Sequence, residues 1–132
     1  VSELENVIWN RAAMERGGQS PLVGDIALAA LLRLHSRAMS GGLLDAVETL
    51  ASATDFNAAV DGYRFFGLGA VATVIEDVRS QVTSEGYDDD AATALEADAD
   101  LRYGELVVDD GVLFAAFQAR LAADPEKFSP TE

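Results

Sequence analysis

The chain has 132 residues, 49% of them apolar and 24% charged, with a formal net charge of −14 and no cysteine. That length and balance suit one globular domain closed around a single core. The charge disfavours DNA, RNA and anionic membranes as direct partners, the longest apolar run (Ile26 to Leu32) is too short for a membrane span, and the lack of thiols excludes disulfides and cysteine zinc sites.

No secretion signal opens the chain, so the cytoplasm is the expected compartment. Ser2 and Glu5 have capping-box spacing, and a first helix should follow them with Leu4, Val7 and Ile8 on one face. Gly17 and Gly18 end it. Pro21 suits the first turn of a second helix reaching about Met39. Leu28, Leu31, His35 and Ala38 share one side of that helix, and Asp25, Arg33 and Arg37 lie away from it. Gly41 and Gly42 break the chain before a third helix, Leu43 to about Ala53. Asp55 is the expected cap of a fourth helix ending near Phe65, and Gly67 and Gly69 mark the next break. Val71, Val74, Ile75 and Val78 have helical spacing within a fifth segment, Ala70 to Val82. A loop from Ser84 leads to Asp90, the expected cap of a helix over Ala91 to Tyr103 that Gly104 closes. Asp109 or Asp110 then caps a last helix to Ala123, and Pro125 and Pro130 mark a loosely ordered tail over 124–132. No strand alternation persists. The expectation is one all-α domain over residues 1–132, a bundle of six or seven short helices joined by glycine-containing turns.

The negative charge is regional. Residues 1–40 are neutral overall, whereas Glu85 to Asp110 hold ten carboxylates against one base, Arg102. On a helix, Glu96 and Asp100 project together, about 6 Å apart along the axis. Asp98 points nearly opposite and can pair with Arg102, four residues on, in a pair that is either buried or simply exposed. Asp88, Asp89, Asp90, Glu96, Asp100, Asp109 and Asp110 are therefore the candidates for an exposed acidic face that meets a partner. Such a face serves solubility, or it offers a basic protein a field like that of the DNA backbone.

Catalytic and metal signatures are missing. The one histidine, His35, falls on the apolar side of its helix and reads as a buried or half-buried structural residue. An enzyme would need it to line a pocket with two convergent carboxylates. Calcium-loop registers starting at Asp88 or Glu96 lack the required glycine and final glutamate. No nucleophile elbow, phosphate loop or zinc-binding helix is present, so neither catalysis, a metal nor a cofactor is expected.

Four stretches carry a resemblance. They are LLRLHSRAMSGGLLDAVE (Leu31 to Glu48), AAVDGYRFFGLGAVATVIEDV (Ala58 to Val78), ALEADADLRYGEL (Ala94 to Leu106) and DDGVLFAAFQARLAADPEKF (Asp109 to Phe128). Together they resemble a small all-helical bacterial family of unknown function that includes a dimeric DNA-mimic protein. Where that family usually has Asn-Gly-Gly, this chain has Ser40, Gly41 and Gly42, and Ser40 remains suited to cap the following helix. The resemblance implies an all-α bundle, no enzymatic activity, and an acidic surface that occupies a basic, DNA-binding protein such as a transcription factor. It also implies a homodimer, for which Trp9 is a candidate contact, with the core as its alternative place.

Overall fold

The computed structural model describes residues 3–50 and 52–131. Seven α-helices follow one another: α1 (Glu3–Glu15), α2 (Val23–Gly41), α3 (Leu43–Thr49), α4 (Ala53–Phe65), α5 (Gly69–Val82), α6 (Asp89–Leu106) and α7 (Asp110–Ala123), with a closing 3₁₀ turn at Pro125–Lys127. No strand occurs among the described residues. The chain is thus an all-α bundle, and no described helix is long and apolar enough to cross a membrane.

The centre is α2, which packs against α1, α3 and α4, while α5 covers α4 and α3, and α6 closes over α3 and α5. Leu28, Leu31 and Leu34 of α2 are fully buried, as their spacing predicts. The α2–α4 contact is close because Gly62 has no side chain. A Cβ there would stand 2.5 Å from the Ala27 carbonyl oxygen. Gly24 plays the same part for the tail, since a Cβ would meet the Phe128 ring at 2.7 Å.

Several boundaries differ from those read off the chain, each because a different group satisfies a helix end. Leu22, not Pro21, precedes α2, and the Asp25 carboxylate accepts the Leu22 N–H at 3.0 Å. Ser40 stays helical and donates to the Ser36 carbonyl, so it does not cap α3. That role falls to Asp100, which reaches across from α6 to accept the Leu43 N–H at 2.9 Å. Helix α3 stops at Thr49, and Ser52 caps α4 by accepting the Asp55 N–H. Asp88 caps α6, and the helix runs through Gly104 because buried Tyr103 and Val107 hold its last turn inward. The capping partner proposed for Glu5, Ser2, lies outside the described residues; Glu5 accepts a bond from Gln118 of α7.

Two further expectations, the inward face of α1 and the placement of Asp25, are corrected, and Trp9 takes the core place, one of the two expected for it. On α1 it is Ile8 and Ala12 that face inward, leaving Leu4 and Val7 substantially exposed. Trp9 packs edge-on against Phe114 at 5.0 Å and beside Phe117 at 5.7 Å, a place at the border of the core. Asp25 is fully buried rather than turned away. Its oxygens take Arg11 at 2.8 Å, Leu22 N–H at 3.0 Å and Ser129 N–H at 2.7 Å. A carboxylate survives burial only when donors fill its lone pairs, and here they do.

That same carboxylate explains the tail. Arg11 also donates to the Ser129 carbonyl, and Phe128 buries its ring among Phe65, Phe66 and Phe117. The segment expected to fray is instead held by a buried anion and an aromatic cluster. Replacing Asp25 by Ala leaves the Arg11 guanidinium, which is only 15% exposed, without its carboxylate and should cost about 3–5 kcal/mol. Urea denaturation of Asp25→Ala checks this; an unchanged midpoint would show that the tail latch is not a stability determinant.

Candidate functional site

Helix α6 places the carboxylates. Leu95, Ala99 and Tyr103 are its buried stripe, at spacings of four. Asp89, Glu96 and Asp100 are separated by seven and four residues, so they share one flank, toward α3. Asp98 and Glu105 fall on the other flank with Arg102. There Arg102 binds Asp77 of α5 at 2.7 Å and Asp98 only at 3.6 Å. Its closest partner is therefore Asp77, whose carboxyl is held below the usual range by the Arg102 hydrogen bond. The Asp98 side chain is 54% exposed, so the pair is a surface one.

Of the seven candidates, four have structural partners. Asp88 caps α6, Asp100 caps α3, and Asp109 caps α7. Asp110 accepts from His35. Asp89, Asp90 and Glu96 are exposed, and their carboxylates make no hydrogen bond or ion pair among the described residues. The seven do not form one patch. Asp88, Asp89 and Asp90 lie at the start of α6, whereas Asp109 and Asp110 come after its end, roughly 27 Å along the axis for its 18 residues.

All the described arginines except Arg16 are engaged elsewhere. Arg11, Arg33, Arg37, Arg64 and Arg120 pair with Asp25, Asp55, Asp45, Glu76 and Asp124. Arg79 lies over the Phe56 ring at 4.6 Å. Among the described residues no arginine or lysine neutralises any of the seven carboxylates. The α6 flank keeps its charge.

A second arrangement went unread in the sequence. His35 is buried, its Nε2 lies 2.7 Å from Asp110 Oδ1, and its Nδ1 lies 2.7 Å from the Tyr103 hydroxyl. That hydroxyl is 2.6 Å from the hydroxyl of Tyr63. With the imidazole as its Nε2–H tautomer, the whole row is satisfied: Tyr63 donates to Tyr103, Tyr103 to Nδ1, and Nε2–H to Asp110. The structural reading of His35 thus fits, with its ring held from both sides. His35 and Asp110 also border a groove of about 550 Å³ between α1 and α2. It offers one carboxylate, not two. The bonded members of this row are 40 to 75 positions apart, and only the inward register of His35 hinted at it.

Among the described residues no group of three or more His, Asp or Glu side chains is placed to hold a metal ion. No family model, curated protein or solved structure matches the chain.

The tyrosine row has two measurable consequences. Tyr103→Phe leaves both His35 Nδ1 and the Tyr63 hydroxyl without a partner and should cost about 1–3 kcal/mol, while Tyr63→Phe removes only the terminal donor and should cost about 1 kcal/mol. Thermal melts that rank Tyr63→Phe as the more damaging change would contradict the row's direction. Burial also raises the pKa of Tyr63, Tyr103 and half-buried Tyr87. The folded chain keeps these phenols protonated where the unfolded chain ionises. Their contribution is complete below about pH 10 and is lost as pH climbs through the raised values. Tyrosinate absorbance should therefore appear together with unfolding in an alkaline titration, and ionisation near pH 10 in a still-folded chain would refute this.

Proposed function

We propose that the chain is an acidic protein-interaction domain whose α6 flank occupies the basic, nucleic-acid-binding surface of another protein. One observation supports this above the rest. The carboxylates of Asp89, Asp90 and Glu96 are exposed and unneutralised, while every described arginine except Arg16 is committed to other acids or to aromatic rings. Asp88 and Asp100 cap helices yet stay exposed, so Asp100 adds charge to the same flank and Asp88 adds it at the start of α6. Along the axis Asp89, Glu96 and Asp100 stand about 10 Å and 6 Å apart, a sparse row of anions on a rigid rod. A surface built to grip phosphates meets such a row with the same Arg and Lys side chains. Asp109 and Asp110 are left out of this face, because the first caps α7 and the second is tied to His35.

In this reading the domain acts in the bacterial cytoplasm as a mimic of DNA, without itself touching nucleic acid or membrane. A homodimer that presents two such flanks is compatible with it. Mimicry of this kind rests on exposed charge, so it is sensitive to screening.

The test keeps the fold and removes the charge. Asp89→Asn, Asp90→Asn and Glu96→Gln together disturb no hydrogen bond made by those carboxylates. The tagged parent chain should capture DNA-binding proteins from a bacterial lysate at about 0.1 M salt and release them near 1 M, where the screening length shrinks from about 10 Å to about 3 Å. The triple variant, with an unchanged circular dichroism spectrum, should capture none of them. Equal capture by parent and variant would end the proposal.

A further inference from the structure

We propose that the groove between α1 and α2 binds a small zwitterion with an apolar body, the chemistry of a free α-amino acid with an aliphatic or aromatic side chain. Its volume of about 550 Å³ falls within the few hundred to one thousand Å³ usual for small-ligand sites. Trp9, Met14, Leu32 and Met39 form its apolar wall. Met14 is 82% exposed and Met39 is 56% exposed. Methionine at the rim suits a ligand-facing surface, since its unbranched thioether adapts to what it covers.

The polar groups of the groove carry opposite charges. Arg16 and Arg33 line it, in a chain of net charge −14. Among the described residues Arg16 and Lys127 are the only bases with neither an ion pair nor a ring contact. Arg33 reaches Asp55 only at 3.7 Å, with both side chains more than a third exposed. Arg16 also has φ 54, the one positive value at a described residue other than glycine. Two guanidiniums at one groove are available to an anion.

Asp110 supplies the other sign. His35 holds one of its oxygens at 2.7 Å, and the Asp110 side chain is otherwise 77% exposed. The buried hydroxyls of Tyr103 and Tyr63 hold His35 in turn, so the acceptor is oriented before any ligand arrives. A lone carboxylate entering the groove would be repelled by Asp110. A lone amine would be repelled by Arg16 and Arg33. A molecule bearing both charges satisfies both, and its apolar part covers Trp9 and the methionines.

Isothermal titration calorimetry on the full chain tests this with L-phenylalanine and L-leucine, their N-acetyl derivatives and their amides. The amino acids should bind, and each derivative, lacking one charge, should bind about tenfold more weakly or worse. Arg16→Gln should erase the preference over the amide while keeping the preference over the N-acetyl form. Asp110→Asn should do the reverse. Arg16 is exposed and outside the helices, so its variant carries the test even if Asp110→Asn loosens α7. Absence of binding by both amino acids, or derivatives binding as well as their parents, would overturn the proposal.

Discussion

Helix α2 is enclosed so completely that the two polar side chains it turns inward, Asp25 and His35, must each find fixed partners. Several segments distant in sequence are tied to one of them. Asp25 gathers the second half of α1 through Arg11 and the chain end through Ser129. His35 gathers α6 and α4 through two tyrosine hydroxyls and the start of α7 through Asp110. Apolar contacts are non-directional and set compactness. These two polar hubs set which helix lies where, because a buried group without its partner is costly.

The surplus of acid over base is allotted just as unevenly. Apart from Arg16, the arginines face acids on the same or neighbouring helices of α1 to α5 and α7, or lie over the Phe56 and Phe65 rings. The one arginine of α6 turns toward α5. What remains on the α3 side of α6 is negative charge alone. Exposed ion pairs contribute little to stability, so this allotment matters less for folding than for the field the surface presents.

Acidic residues in this chain do two different jobs. Asp88 and Asp109 each satisfy the first turn of the helix they precede, and Asp100 does so for a helix fifty-seven positions earlier. Asp89, Asp90 and Glu96 have no such partner. A run of like residues therefore divides into caps and surface charge. The division follows from which backbone amides point at them.

The helical class, the apolar stripes of α2 and α5, and the glycine breaks at Gly17, Gly42 and Gly67 were legible because they rest on local periodicity and local backbone freedom. The caps of α4, α6 and α7 were legible to within three residues, since Ser52, Asp88 and Asp109 act on amides a few positions away. The flank shared by Glu96 and Asp100 was equally plain, as it depends only on the helical pitch. Burial of Asp25, capture of the tail by Phe128, the reach of Asp100 to Leu43 and the row from Asp110 to Tyr63 were not. Each joins groups whose separation in the chain ranges from 40 to more than 100 positions. Local pattern records which face a residue occupies; it holds no record of what another helix brings against that face, and that is decided when the bundle closes.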